Sequence, residues 1–395
     1  MLTVKEAQIL INQQAKNFGV ENSSIENAQG RVLAESIFAD RDYPPFNRAA
    51  MDGYAINAND FIEKGIRDYT IVEEIYAGSI ATEKISEGDC YKIMTGSATP
   101  LDADTIIRVE DTEQFDKKVV FKIEQLKTGQ NIAKRGEDKK EGDLVFKKGT
   151  KLYAPEIATL AVLGKKDVLV YRLPIVSIIS TGDEVISIDQ PILSHQIRDS
   201  NSYALEGFLK NYNIKITNRK LVPDNKELLT QTITEFIYSD ILILSGGVSM
   251  GDADYVPEVL NSLRIEKVFH KVAIKPGKPL WFGKSKNGVV FALPGNPMSV
   301  QVAYKIFIEP FLRKCFGLTE PPFLKLPMAV GRKKKVKFDE FFPCAINNEE
   351  ISSLRPSLVN GSGDVTAALY SEGIALQEAE REELKKGDIV KFYYW

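Results

Sequence analysis

The sequence predicts an α/β domain combined with all-β regions in one multidomain chain. Three continuous apolar runs, at residues 173–180, 240–244 and 289–293, are typical of strands buried on both faces of a sheet. Two amphipathic segments, residues 200–212 and 226–238, separate these runs and predict helices. Strands that alternate with helices indicate a parallel or mixed sheet with both faces covered.

The remaining segments predict strands and a few helices. Thr3 and Glu6 form a T-x-x-E pattern that is typical of a capping box, and it predicts a helix at the start of the chain. Short β-type segments separated by glycines fill residues 54–148 and return beyond residue 321. A helix that follows the third apolar run contains Pro310, where we expect it to kink or end.

A chain of 395 residues is too long for one ordinary core, so we expect several domains. The predicted boundaries are an elongated N-terminal module at 1–53 and 132–168, an inserted all-β domain at 54–131, an α/β domain at 169–320 and a C-terminal β domain at 321–395.

Composition excludes several classes of function. The net charge of −3 gives no broad attraction to nucleic acid or to anionic membranes, and no apolar run is long enough to span a membrane. Three scattered cysteines indicate a reducing compartment, so we expect a cytoplasmic protein. Two histidines argue against histidine-rich metal sites and a Ser-His-Asp triad. We interpret the basic residues between Arg332 and Lys337 as a solvated strand or loop, in preference to a phosphate-binding patch.

Each apolar run ends in a loop of small and polar residues, at the sheet edge where open α/β sheets bind ligands. One such loop is more often a simple turn, but three on consecutive strands favour a shared anion-binding cleft. These loops match neither the P-loop nor the dinucleotide pattern, which argues against ordinary NTPase and NAD chemistry. The predicted binding residues are Thr181, Gly182, Ser245, Gly246, Gly247, Ser249, Gly251, Asp252, Pro294, Gly295, Asn296, Pro297 and Ser299.

Carboxylates and lysines accompany these loops. The carboxylates of Glu184, Asp224, Asp252 and Asp254 follow predicted strand ends or lie in adjacent loops. They are suited to hold Mg²⁺ between phosphate oxygens, although loop aspartates also serve turns and caps. For Asp224, a metal ligand and a structural loop aspartate are equally favoured. Glu184 and Asp224 are the predicted metal ligands. The segment that contains Lys271, Lys275, Pro276 and Lys278 favours an oxyanion or phosphate site over a solvated charge cluster.

Seven motifs in order along the chain resemble those of the MoeA family, which shares its architecture with the gephyrin E domain. They are PPFNRAAMDGYA from Pro44, IMTGSA from Ile93, RGED from Arg135, DSNS from Asp199, SGGVSMGDADY from Ser245, KPGKP from Lys275 and PGNP from Pro294. The resemblance implies an elongated four-domain protomer, a homodimer, and insertion of molybdate into adenylylated molybdopterin with Mg²⁺-dependent release of AMP.

The resemblance also implies which residues act. The catalytic positions would be Asp52, Thr95, Asp138, Glu184, Asp224, Asp254, Lys271 and Lys275, and Ser362 would bind the substrate. The first three would act across the dimer. Molybdopterin adenylyltransferase and molybdoenzyme-maturation proteins are the implied partners.

The chain departs from the family at one point. An arginine that the family usually carries in its C-terminal domain is missing from residues 337–343, whereas Ser362 is retained. Lys337 and Arg355 are the replacements that the sequence offers.

Three other functions are weighed against this one. An adenylyltransferase on the same α/β fold would not need the β regions. A non-catalytic scaffold like gephyrin would not need the carboxylates and lysines. A sulfur-transfer enzyme would need a reactive cysteine motif, which the sequence lacks.

Overall fold

The computed structural model describes residues 1–248, 254–348 and 351–395. The chain divides into two compact units, one formed by Met1–Glu35 and Lys148–Trp395 and the other by Ser36–Lys147. The four-domain division made from the sequence stays a prediction.

The helices begin with the capping box that the sequence predicts. The Thr3 hydroxyl accepts a hydrogen bond from the Glu6 amide at 3.2 Å, and the Glu6 carboxylate accepts one from the Thr3 amide at 2.8 Å. The helices are α1 Val4–Gln13, α2 Ala58–Ile62, α3 Ala154–Val162, α4 Asn201–Lys210, α5 Lys226–Phe236, α6 Val256–Ser262, α7 Pro297–Ala303 and α8 Glu309–Cys315, with 3₁₀ turns at Ile25–Asn27 and Val109–Asp111.

The strands are short and run through both units. Up to residue 171 they are β1 Val20–Ser24, β2 Ile37–Phe38, β3 Arg48–Ala49, β4 Gly53–Ile56, β5 Asp68–Ile75, β6 Asp89–Ile93, β7 Thr105–Arg108, β8 Thr112–Phe115, β9 Lys118–Phe121, β10 Ile132–Ala133, β11 Leu144–Phe146 and β12 Asp167–Tyr171. From there to residue 293 they are β13 Val176–Thr181, β14 Val185–Ile186, β15 Ile197–Arg198, β16 Ile216–Val222, β17 Ile241–Ser245, β18 Glu266–His270, β19 Ile274–Lys275, β20 Trp281–Lys284 and β21 Val289–Leu293. The last are β22 Leu324–Pro327, β23 Arg332–Lys333, β24 Asp339–Asn347, β25 Ser353–Pro356, β26 Gly373–Gln377, β27 Glu383–Leu384 and β28 Ile389–Tyr394.

The largest sheet of the α/β region confirms the predicted mixed sheet. Its order is β16-β13-β17-β21-β20-β18, with parallel pairing from β16 to β21 and antiparallel pairing beyond. Every residue of β13, β17 and β21 is buried, as the three apolar runs predict. Neighbouring residues of β13 enter different cores, Ile178 on one face and Ile179 on the other, because strand side chains alternate in direction.

The helix after the third apolar run differs from the expectation. It continues through a π-helical turn, Tyr304–Ile308, into α8, and it does not end at Pro310. Pro310 lies in the first turn of α8, where a missing backbone N–H is tolerated. The predicted end at Pro310 was therefore wrong, whereas a kink there, the other alternative, stays a prediction.

The C-terminal region is a β-sheet, as predicted, and it takes in one strand from the α/β region. The order is β19-β24-β26-β28-β22, and β25 pairs with β24. Strand β19 runs parallel to β24, with Lys275 opposite Glu340. This pairing carries Lys275 onto the C-terminal sheet.

The second unit contains a sheet of order β7-β4-β6-β5-β9-β8 and the small pairs β2-β11 and β3-β10. Helix α2 interrupts the expected all-β character of this segment. Asn57 caps it by accepting a hydrogen bond from the Asn59 amide at 3.0 Å, and Phe61 packs into the unit's core. A helix of five residues is too short to show periodicity in the sequence.

Candidate functional site

A cavity of about 1590 Å³ opens at the carboxyl ends of β13, β17 and β21. It brings together the three glycine-containing loops, the lysine segment and part of the C-terminal sheet. The predicted site residues that line it are Thr181, Gly182, Glu184, Asp224, Ser245, Gly246, Gly247, Asp254, Lys275, Pro276, Lys278, Pro294, Gly295, Asn296, Pro297, Ser299 and Ser362.

The loops after β13 and β17 touch each other at Gly246. Its φ of +101° is a backbone conformation that favours glycine, and a Cβ built there would lie 2.2 Å from the carbonyl oxygen of Thr181. Because glycine has no side chain, the backbone at Gly246 can lie close to the end of β13, and the two strand ends form one continuous wall of the cavity.

Asn201 connects the other loops at the start of α4. Its side-chain amide donates to the Ser245 hydroxyl at 2.8 Å and to the Gly295 carbonyl at 2.7 Å. Asp199, which is buried, accepts hydrogen bonds from the Ser202 hydroxyl at 2.6 Å and from the Ser202 amide at 3.1 Å. The two Asn201 bonds fix the start of α4 against the end of β17 and the loop that follows β21. Both residues belong to the DSNS motif but were not predicted as site residues.

The carboxylates lie on the side of the cavity formed by β13 and β16. The Thr181 hydroxyl donates to Asp224 Oδ1 at 2.8 Å, and the Asp224 amide donates to Asp183 Oδ1 at 2.9 Å. Glu184 lines the same cavity. Among the described residues, no three His, Cys, Asp or Glu side chains are grouped as metal ligands. Two carboxylates still suit Mg²⁺, which completes its shell with water and substrate phosphate oxygens.

The part of the lining at the C-terminal sheet carries cations and the buried carboxylate of Glu340. Glu340 Oε1 lies 3.3 Å from Lys275 Nζ and accepts a hydrogen bond from Arg332 Nη2 at 2.9 Å. Arg332 Nη1 donates to Gln377 Oε1 at 2.7 Å, and its guanidinium lies 3.8 Å from the centroid of the Phe342 ring. Two hydrogen bonds and this stacking hold Arg332 in one orientation at the cavity wall.

The basic cluster at residues 332–337 was misinterpreted in part. Arg332 lines the cavity, and Lys334 is buried, with Nζ donating to the Phe338 carbonyl at 2.9 Å. Within the described chain, neither Lys337 nor Arg355 belongs to the cavity lining. Alternate residues of an extended segment point to opposite sides, and five basic residues hide that alternation in the sequence.

Ser362 enters the cavity from the loop between β25 and β26. Its hydroxyl accepts a hydrogen bond from the side-chain amide of Asn296 at 2.8 Å, and its carbonyl accepts one from the Met298 amide at 3.3 Å. These bonds join the C-terminal loop to the PGNP loop. They place Ser362 beside residues that sequence reasoning had assigned to binding.

Lys271 is not part of the cavity lining as described, and its amide donates to the Leu280 carbonyl at 2.8 Å. Ser249, Gly251 and Asp252 lie outside the described residues. Their roles stay predictions.

Asp52, Thr95 and Asp138 belong to the second unit, Ser36–Lys147. Thr95 donates from its amide and its hydroxyl to Asp52 Oδ1, at 2.7 and 2.6 Å. These two bonds stabilise the charged form and lower the pKa of the Asp52 carboxyl. Asp52 and Asp138 are exposed.

The three cysteines are buried, and burial raises the pKa of Cys90, Cys315 and Cys344 to about 12. A buried thiol with a high pKa is a poor nucleophile, which argues against sulfur transfer. In the described parts of the chain, no helix has the length and apolar character that a membrane span requires.

Known protein families match most of the chain. Residues 2–164 match the MoeA N-terminal region (domain I and II), and residues 177–314 match a probable molybdopterin binding domain. The chain is 32% identical over 402 residues to the molybdopterin molybdenumtransferase of Synechocystis sp., covering all of both sequences. It is 31% identical to the enzyme of that name from Haemophilus influenzae, covering 99% of this chain and 98% of that one.

The fold is also that of a solved structure. The crystal structure of the molybdopterin biosynthesis moeA protein from Pyrococcus horikoshii OT3 matches all of this chain and all of that one, with a TM-score of 0.87 and 29% identity. These similarities confirm the fold class and the resemblance that the motifs indicate.

Proposed function

Because the chain belongs to the molybdopterin molybdenumtransferase family, we propose that it inserts molybdate into adenylylated molybdopterin and releases AMP with the help of Mg²⁺. One observation carries this proposal beyond family membership. A single cavity is lined by the cations Lys275, Lys278 and Arg332 and by carboxylates that include Glu184 and Asp224, at the ends of three strands that are followed by glycine-containing loops.

The anionic groups of both substrates can pair with the cations that line the cavity. Molybdate is a tetrahedral dianion, and the adenylylated pterin carries phosphates. Lys275 and Lys278 neutralise these charges as point donors, while Arg332 offers a planar, pre-oriented guanidinium. In the hydrolysis, water attacks one phosphorus of the P–O–P link and the bond from that phosphorus to the bridging oxygen breaks, so AMP and the pterin phosphate separate and a proton passes to solvent. Such a step needs mainly positioning and charge neutralisation, and it needs no histidine base.

Glu184 and Asp224 are the residues that would hold Mg²⁺. The ion would supply charge neutralisation at the phosphate oxygens. Asp224 is fixed for this role by the hydrogen bond from Thr181, and Glu184 lines the same wall. Thr181 donates to Asp224 Oδ1, and Asp224 Oδ2 would be the metal ligand.

We further propose a homodimer in which Asp52, Thr95 and Asp138 of one copy complete the cavity of the other. Support comes from the Asp52–Thr95 pair, which is exposed and charged, so it is ready to contact a cation or a donor. A molybdopterin adenylyltransferase would supply the substrate, and a molybdoenzyme-maturation protein would receive the product.

The test is cofactor production. Purified protein, adenylylated molybdopterin, molybdate and Mg²⁺ are incubated, and the product is assayed by its ability to activate an apo-molybdoenzyme. Wild type should give activation, and Lys275→Ala should lose most of it. Lys337→Ala removes a lysine that does not line the cavity and is the matched control. Equal activation by Lys275→Ala and wild type, or none by wild type, would contradict the proposal.

A further inference from the structure

Three neighbouring strands of the C-terminal sheet carry a row of polar side chains, of which Lys275 and Glu340 line the cavity. Lys275 on β19 is opposite Glu340 on β24, and Glu340 is opposite Gln377 on β26. Residues paired in this way project from the same face of a sheet. Arg332 spans the row by donating to both Glu340 and Gln377.

Glu340 is the unusual member of this row. Its side chain is only 9% exposed. Its Oε1 accepts a hydrogen bond from Arg332 and forms an ion pair with Lys275. Oε2 is buried and has no hydrogen-bond partner among the described residues. Burying a carboxylate with an unpaired oxygen costs free energy unless nearby cations compensate its charge.

Glu340 Oε1 contacts two cations that line the cavity, Arg332 and Lys275. Glu340 keeps Arg332 and Lys275 side by side on one oxygen, so both cations face the same small region of the cavity. An oxyanion that binds there gains contacts with both cations but is repelled by the carboxylate. Glu340 therefore orders the cations and also limits how strongly they attract a dianion.

We infer that Arg332 is the oxyanion ligand contributed by the C-terminal sheet, and that Glu340 is a positioning residue whose charge competes with the bound oxyanion for Arg332 and Lys275. The identity of the oxyanion as molybdate rests on the proposed function. The sequence suggested Lys337 or Arg355 as the replacement for the missing arginine. The geometry assigns this role to Arg332, because Arg332 lines the cavity.

The charge of Glu340 and its shape have separable effects. Glu340→Gln keeps an oxygen that accepts from Arg332 but removes the negative charge, so a dianion should bind about tenfold more tightly. Glu340→Asp keeps the charge, so binding should not become tighter. Arg332→Gln removes a cation and should weaken binding about tenfold. A merely structural role for Glu340 would not produce a gain of affinity.

The experiment is calorimetric titration of the full-length protein with sodium molybdate at low ionic strength, without any pterin. Lys337→Gln, which removes an exposed lysine outside the cavity lining, should leave the Kd unchanged. Unchanged or weaker binding by Glu340→Gln, unchanged binding by Arg332→Gln, or no binding by wild type would overturn the inference. If the shifts appear but the protein releases no AMP from the adenylylated pterin, the inference stands and the proposed function fails.

Discussion

The Thr181 hydroxyl donates a hydrogen bond of 2.8 Å to Asp224 Oδ1 across the carboxyl ends of β13 and β16. These strands are parallel neighbours, and Thr181 is opposite Val222 in their register. The sheet topology thus joins two residues that are far apart in the chain.

Asp224→Asn separates the charge of this carboxylate from its hydrogen bond. The amide oxygen still accepts from Thr181, so the free energy of unfolding should stay close to that of wild type. The negative charge at the cavity is lost, so the single-turnover rate of AMP release should fall about a hundredfold. Glu227→Gln, an exposed change on α5, is the control. A rate within about threefold of wild type would remove Asp224 from the mechanism.

Gly246→Ala tests the close contact between two strand loops. The new Cβ would lie 2.2 Å from the Thr181 carbonyl oxygen, and φ of +101° disfavours alanine. We expect the free energy of unfolding to fall by about 2 kcal/mol or more. Gly207→Ala in α4 is the matched control, because nothing lies within 4 Å of its Cβ position. That variant should be as stable as wild type or more stable by about 0.5–1 kcal/mol. Equal stability of the two variants in chemical denaturation would contradict this account.

Much of the fold could be predicted because its signals are local. A strand buried on both faces must be apolar throughout, which made β13, β17 and β21 visible as continuous runs. The loops that follow these strands meet at one sheet edge, so residues such as Asn296 and Gly246 were predicted together.

The cluster of Lys275, Arg332 and Glu340 could not be predicted, because it depends on long-range strand pairing. Nothing local in the sequence shows that the two-residue strand β19 joins β24 and brings Lys275 to Glu340. Arg332 lies in a run of basic residues. Because residues that point into the protein and residues that point to solvent are all basic, the sequence does not tell them apart. Only the three-dimensional fold distinguishes Arg332, at the cavity wall, from the exposed Lys337.

Subunit complementation tests the proposed dimer. Asp52→Asn and Lys275→Ala proteins, each inactive alone, are mixed and allowed to exchange subunits. If the cavity of one copy uses Asp52 of the other, each mixed dimer has one site with both residues intact. Half of the dimers are mixed, so AMP-release activity should recover to about a quarter of wild type. If both residues act within one copy, the mixture should stay inactive.

Alkaline pH should weaken the contribution of the buried thiols. Burial raises the pKa of Cys90 to about 12 from an ordinary value of 9.0, so the folded state favours the neutral thiol. This stabilisation is fully present below pH 9 and is lost as pH rises toward about 12. The stability advantage of wild type over Cys90→Ala should therefore shrink, by at most about 1.4 kcal/mol for each pH unit. Urea denaturation of both proteins at pH 8 and pH 10 measures it, and a constant difference would contradict the buried-thiol assignment.

The most direct measurement is single-turnover release of AMP from adenylylated molybdopterin by purified wild-type protein with Mg²⁺, with and without molybdate. The account predicts rapid AMP release that depends on molybdate and is lost in Lys275→Ala but kept in Lys337→Ala. Absence of AMP release from dimeric wild-type protein, or release at the same rate without molybdate, would contradict the claim that this cavity couples adenylate hydrolysis to molybdate insertion.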